Sequence, residues 1–168
     1  DPPAMRTLAR ELAERSIVLL TNPTGVLPLA QPKAGQRRIA LVGPCADNVR
    51  SLMGCYAFPN HVGVHHPDVP LGVEMPTVAE ALRAEFPDAE IVTELGCPVA
   101  EPDESGIEAA VEAARGADVC IAVVGDVAGL FGQGTSGEGC DAETLALPGS
   151  QQALLDALLR QARLVSLM

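Results

Sequence analysis

Four short, unbroken apolar runs limit what this chain can become. They are Ile39-Ala40-Leu41-Val42-Gly43, Ile91-Val92-Thr93, Val119-Cys120-Ile121-Ala122-Val123-Val124 and Leu164-Val165-Ser166-Leu167-Met168. A strand that is apolar at successive positions, not at alternate ones, is covered on both faces, as in a parallel sheet enclosed by helices. The segments between the runs read as helices. Thr77 with Glu80 and Ser105 with Glu108 have the spacing of capping boxes, ahead of Val78, Ala81 and Leu82 and of Val111 and Ala114. Pro148 is expected to open a last helix carrying Leu154, Leu155, Leu158 and Leu159. Strands alternating with helices predict an α/β fold: a three-layer α/β/α sandwich with a mainly parallel sheet.

The N-terminal part is different. Asp1-Pro2-Pro3 is an extended lead-in, because each proline biases its predecessor away from helix. Met5, Leu8, Ala9, Leu12, Ala13, Ile17 and Leu20 then recur at helical spacing, predicting an amphipathic helix over residues 4–19. Thr21-Asn22-Pro23-Thr24-Gly25 ends it with turn chemistry. Residues 1–30 are therefore assigned to a lead-in helix and linker, and residues 31–168 to the sandwich. The last apolar run stops at Met168, so the sandwich is expected to be truncated at its C-terminal end.

Charge and cysteine usage narrow the function. Lys and Arg total 11 against 22 Asp and Glu, a formal charge of -11. That balance repels phosphate backbones, so no nucleic-acid partner is expected. No apolar run approaches the ~18 residues that cross a bilayer, so no membrane partner is expected either. The five cysteines are odd in number and show no C-x-x-C spacing, which argues against a metal site and leans towards a reducing, cytoplasmic compartment.

In a parallel sheet, working residues gather beyond the carboxyl ends of the strands. Two long loops lie there, residues 43–76 and 125–148, each longer than the ~12–15 residues of a plain connection. The second contains G-x-G-x-x-G at Gly132, Gly134 and Gly137. A dinucleotide fingerprint needs those glycines directly after a strand and opening a helix. Here seven residues separate them from Val124, and no helical pattern follows until after Leu147, so no cofactor is expected. Gly134-Thr135-Ser136-Gly137-Glu138 misses the G-x-S-x-G nucleophile motif at its last residue. What remains is Glu138, a carboxylate with glycine on both sides, near Asp126, Asp141 and Glu143. Taken alone, these acids read first as the solvated face of an acidic loop.

The order of several segments says more. Residues 11–29 (ELAERSIVLLTNPTGVLPL), 39–47 (IALVGPCAD), Gly54-Cys55-Tyr56, Thr77-Val78-Ala79-Glu80-Ala81-Leu82, Gly96-Cys97 and 118–126 (DVCIAVVGD) come first. Glu138-Gly139-Cys140-Asp141 and Leu145-Ala146-Leu147-Pro148-Gly149-Ser150-Gln151-Gln152 complete the series. Together they resemble glycoside hydrolase family 3, and specifically its C-terminal α/β sandwich domain, lacking the catalytic barrel.

The resemblance implies a retaining, exo-acting β-glucosidase or β-xylosidase whose nucleophile is an Asp on a preceding (β/α)8 barrel. In many such enzymes the general acid/base is a Glu in a Glu-Gly-x-Asp-Arg stretch of the sandwich. That Glu maps onto Glu138 and the Asp onto Asp141, while Ala142 stands at the Arg position. The implied partners are the barrel domain of the same chain and a β-linked sugar. Retaining hydrolysis uses two carboxyl groups about 5–5.5 Å apart, so the 168-residue chain alone is expected to be inactive. Phe131 is expected to cover substrate or dock on the barrel, or equally to pack in the core; the loop of the three histidines is expected to pack at the interface, with His61 the sugar contact among them if there is one. The competing reading is a non-catalytic α/β binding or interaction module.

Overall fold

The computed structural model describes residues 2–29, 37–161 and 164–167; Asp1 and Met168 lie outside them. The chain divides into two compact units, Asp1–Ala30 and Gln31–Met168. In the first, α1 (Pro3–Ser16) begins with proline in its first turn. Ion pairs Arg10–Glu14 and Arg15–Glu11 lie along its exposed surface, both 2.7 Å long. Such pairs contribute only tenths of a kcal/mol. The helix stops at Ser16, short of the predicted residue 19, because Ile17 adopts extended angles (φ -69°, ψ 128°). The β-branched pair Ile17-Val18 favours that exit. Asn22 then closes a turn by donating to the Leu27 carbonyl and accepting the Leu27 N–H.

The second unit is built on a four-stranded parallel sheet of β1 (Arg38–Val42), β2 (Glu90–Glu94), β3 (Val119–Val123) and β4 (Leu164–Leu167). Their order is β2-β1-β3-β4. Ile39 pairs in register with Ile91 on one side and Val119 on the other. Helices α3 (Val78–Glu85), α4 (Ile107–Arg115) and α5 (Gln151–Leu159) make the crossovers. Crossovers of a single hand put α3, which joins β1 to β2, on one face. They put α4 and α5, which lead to β3 and β4, on the other. The result is a three-layer α/β/α sandwich.

Ala40, Val42, Cys120 and Ala122 form the sheet's side of the core beneath α4 and α5, which supply Ala110, Val111, Ala114, Leu154 and Leu158. The alanines let these helices lie close to the sheet. Ile39, Leu41 and Ile121 point to the opposite face and are also buried. Each large side chain buried this way contributes about 1.5–3 kcal/mol.

The Thr77–Glu80 capping box forms, with Thr77 accepting the Glu80 N–H and Glu80 accepting the Thr77 N–H. The Ser105–Glu108 box does not. The Asp103 carboxylate takes the Ser105 N–H at 2.8 Å, and α4 starts one residue later behind Gly106. Likewise Pro148 precedes the last helix without opening it, since Ser150 is the N-cap residue of α5. The loop over residues 43–76 is not all irregular: it contains a 3-10 turn (Val49–Leu52) and α2 (Phe58–His65).

The order β2-β1-β3 creates a topological switch point. The chain leaves β1 for one neighbour and later returns to the other, so the connections after β1 and β3 start from adjacent strands and lead to opposite faces of the sheet. Gln151, fully buried at the start of α5, fastens this edge. Its Oε1 accepts the Gly125 N–H at 2.7 Å, and its Nε2 donates to the Gly125 and Val99 carbonyls, each at 2.9 Å. Substituting Gln151→Leu keeps the volume, strands the Gly125 N–H and the Val99 carbonyl, and leaves the Gly125 carbonyl only the Cys45 thiol at 3.8 Å. At about 1–3 kcal/mol for each unsatisfied group, the variant should lose about 3 kcal/mol or more of stability in urea unfolding. An unchanged midpoint would show that this amide does not hold the edge.

Candidate active site on the loops after β1 and β3

The loop after β3 is anchored by Val127 and Leu130, both buried. It then doubles back. Thr135 N–H donates to the Val127 carbonyl at 2.9 Å, and Gly129 N–H donates to the Ser136 carbonyl at 3.0 Å. The Thr135 hydroxyl accepts the Val127 N–H and donates to the Asp126 carboxylate at 2.7 Å. Gly134 lies against Val127 and Gly129 so closely that a Cβ would not fit. The glycine spacing thus serves the packing of a folded-back loop. Among the described residues, no helix begins between β3 and α5, as a dinucleotide site would need.

This fold delivers Glu138 to the surface with its backbone held. Its N–H donates to the Cys55 Sγ at 3.2 Å, and its carbonyl accepts the Gly132 N–H at 3.4 Å. Gly137 precedes it at φ +110°, where a Cβ would strike the Gly129 carbonyl and come within 2.9 Å of Cys55 Sγ. The Cys55 thiol in turn donates to the Gly129 carbonyl at 3.1 Å. Buried Asn60 ties both loops together, donating to the Gly54 carbonyl at 2.8 Å and the Ala128 carbonyl at 3.3 Å. On the Cys140 side, that residue's Sγ accepts the Gly134 N–H at 3.2 Å.

The Glu138 side chain itself is exposed, and its partner is Tyr56. Tyr56 lies beside the Glu138 carboxylate, which by hydrogen bonding and then by its charge pushes the phenol above its ordinary pKa, with a smaller contribution from Cys55. Close by in the chain, the Phe131 ring meets His61 edge-on at 6.1 Å and His65 at the same distance with a 51° tilt. His61 and His65 are four residues apart on α2, so both reach the same ring. Phe131 has φ +56°, a left-handed conformation that costs a non-glycine residue of order 1 kcal/mol. Its ring remains about half exposed.

The four residues singled out by sequence are therefore brought together unevenly. Phe131 touches His61, and the Gly132 N–H joins that corner to the Glu138 carbonyl. Asp141 is exposed and, among the described residues, joins none of these contacts. Sequence reasoning missed the contacts made by Cys55, Tyr56 and Asn60. The adjacency of Gly54-Cys55-Tyr56 to a predicted edge loop was the available signal, but the partner loop lies more than 70 residues away.

Elsewhere, a groove of about 220 Å³ runs between α2 and the Val69-Pro70-Leu71 segment. Among the described residues, Arg50 is the only charged one lining it, so it offers no carboxylate chemistry. Among the described residues, no cluster of His, Cys, Asp or Glu could hold a metal ion.

Comparison with known proteins gives a consistent picture. The family described as glycosyl hydrolase family 3 C-terminal domain matches residues 17–167. Among curated relatives, beta-D-xylosidase 3 of Arabidopsis thaliana is 33% identical over 93% of this chain and 17% of its own length. The periplasmic beta-glucosidase of Salmonella typhimurium is 33% identical over 91% of this chain and 20% of its own. A solved beta-glucosidase involved in saponin metabolism from intestinal bacteria superimposes with a TM-score of 0.75 at 29% identity, covering 98% of this chain and 25% of that one. The Listeria innocua beta-glucosidase in complex with glucose gives a TM-score of 0.69 at 25% identity, covering 98% and 20%. The chain thus spans about a fifth of the length of the curated relatives it matches.

The thiols of this unit differ in burial. Burial pushes Cys120 up to about 12 and, with smaller contributions from Asp103 and Cys45, Cys97 up to about 11. Cys55 and Cys140, both half-buried at the Glu138 loop, are the accessible ones. Iodoacetamide at pH 8 should therefore label Cys55 and Cys140 in the native protein and reach Cys97 and Cys120 only after unfolding. Equal labelling rates for Cys120 and Cys140, read by peptide mass spectrometry, would contradict the burial described here.

Proposed function

The chain belongs to glycosyl hydrolase family 3 as its C-terminal domain, and on that premise we propose that Glu138 is the general acid/base of a retaining β-glycosidase. The enzyme is an exo-acting β-glucosidase or β-xylosidase, and its nucleophile is an Asp on a (β/α)8 barrel of the same polypeptide. In the first step the barrel carboxylate attacks the anomeric carbon. The glycosidic C–O bond breaks, and the leaving oxygen takes the proton from Glu138. In the second step Glu138, now a carboxylate, takes a proton from water. That water attacks the anomeric carbon, releases the nucleophile and restores both carboxyl groups.

The observation that carries this reading is the way Glu138 is held. Its backbone is bonded on both sides while its carboxylate stays exposed at the edge where parallel sheets place their sites. A proton donor needs a fixed approach and a carboxyl oxygen open to the substrate, and this loop supplies both. Phe131 and His61 provide an apolar wall against which a sugar ring or aglycone can pack, and the strained φ of Phe131 supports a placement chosen for contact. Asp141, exposed three residues beyond Glu138, is assigned a hydrogen bond to substrate hydroxyls. With Ala142 in place of the family's Arg, that carboxylate has no guanidinium from the next position. The odd number of cysteines and their lack of C-x-x-C spacing are the grounds for assigning a reducing, cytoplasmic setting.

The test is a panel of β-glycosides with the enzyme that unites this domain with its barrel. Glu138→Ala should lower turnover of alkyl glycosides about 10²–10⁴-fold, and that of dinitrophenyl glycosides far less, because an activated leaving group needs no proton. Added azide, which attacks without a general base, should restore the second step. Equal losses on both substrate types would remove Glu138 from this role. The 168-residue chain alone should hydrolyse neither substrate, since half of the carboxyl pair is absent; measurable turnover by it would refute the two-domain mechanism.

A further inference from the structure

Resting on the acid/base reading of Glu138, we propose that Cys55 and Tyr56 are its positioning residues, the thiol fixing its backbone and the phenol steering its carboxylate. Both arrive on the loop after β1, more than 80 residues away in sequence, so the acid/base is set by two loops and not by its own alone.

The thiol's bonding matches its chemistry. It has one proton, given to the Gly129 carbonyl at 3.1 Å, and sulfur lone pairs, which take the Glu138 N–H at 3.2 Å. Cys55 thereby spans the doubled-back loop from its descending limb to the residue that carries the carboxylate. The fit is tight, because Gly137 leaves no room for a Cβ between Gly129 and the sulfur. Asn60 holds the Cys55 segment in place from behind through the Gly54 and Ala128 carbonyls.

Tyr56 completes the arrangement at the side chain. Next in the chain to the thiol that holds the Glu138 backbone, its phenol lies beside the Glu138 carboxylate, and a bond to one carboxyl oxygen would leave the other to carry the transferable proton. In the first step this fixes the direction in which that proton is offered. In the second it stabilises the carboxylate that receives a proton from water. Tyr56 is itself 70% exposed, so its loss removes a hydrogen bond without opening a core cavity.

The experiment uses the complete enzyme and four variants: Tyr56→Phe, Cys55→Ala, Cys55→Ser and Glu138→Ala. Each is assayed on a methyl β-glycoside and on a 2,4-dinitrophenyl β-glycoside, with thermal unfolding recorded beside it. Tyr56→Phe and Cys55→Ala should each lower kcat/KM for the methyl glycoside about tenfold or more, and for the dinitrophenyl glycoside less than about threefold. Cys55→Ser, which keeps a donor and an acceptor, should recover part of the loss, and Tyr56→Phe should leave the melting temperature unchanged. Equal losses on both substrates, or wild-type behaviour of Tyr56→Phe and Cys55→Ala, would overturn the positioning role. If Glu138→Ala shows the leaving-group dependence and the other variants do not, positioning alone fails. If Glu138→Ala shows none, the acid/base reading falls and takes the proposal with it.

Discussion

The amide of Gln151 is the interaction on which the working edge of this domain depends. It is fully buried and satisfies three backbone groups at once, at the entrances to two loops and the start of α5. Val99 follows β2, Gly125 follows β3 and Gln151 begins the helix that leads to β4. One side chain therefore fixes where two connections leave the sheet and where the helix of the second begins. A buried amide of this kind is costly to leave unpaired, so the three segments move together or not at all.

From that fixed origin the structure builds outward in decreasing order of rigidity. The sheet and its alanine-rich contact with α4 and α5 form the base. The loop after β3 then stiffens itself through Thr135 and its internal backbone bonds, and the loop after β1 braces it through Asn60 and Cys55. The carboxylate of Glu138, with the phenol of Tyr56 beside it, reaches solvent at the end of this series. Such an arrangement suits a group that must meet a reactant supplied from elsewhere, because errors in position would otherwise accumulate along the excursion from the sheet. Here they are corrected midway by contacts from a second loop.

Much of this was legible in the residues, and the exceptions share a cause. The four strands were readable from their continuous apolar runs, and all four take their places in one parallel sheet; β1 and β3 are buried as such runs report, while β2 is only partly covered. The Thr77–Glu80 cap was readable because both of its bonds are local. The Ser105–Glu108 cap failed because Asp103, two residues earlier, competes for the Ser105 N–H. Helix α2 went unread because an eight-residue segment holding Pro59, Asn60 and Gly63 carries little helical propensity of its own. Glu138 was found by its glycine neighbours and by its resemblance to a known stretch. Its contacts with Cys55 and Tyr56 were not, since no spacing along the chain records a hydrogen bond across 83 positions.

The most direct measurement of the central claim is a crystal structure of the complete enzyme, carrying Glu138→Gln, with an uncleaved β-glycoside bound. The account predicts the substituted amide within hydrogen-bond reach, about 2.6–3.2 Å, of the glycosidic oxygen, on the face of the sugar opposite a barrel carboxylate. A side chain turned to solvent, with another residue at that oxygen, would contradict it.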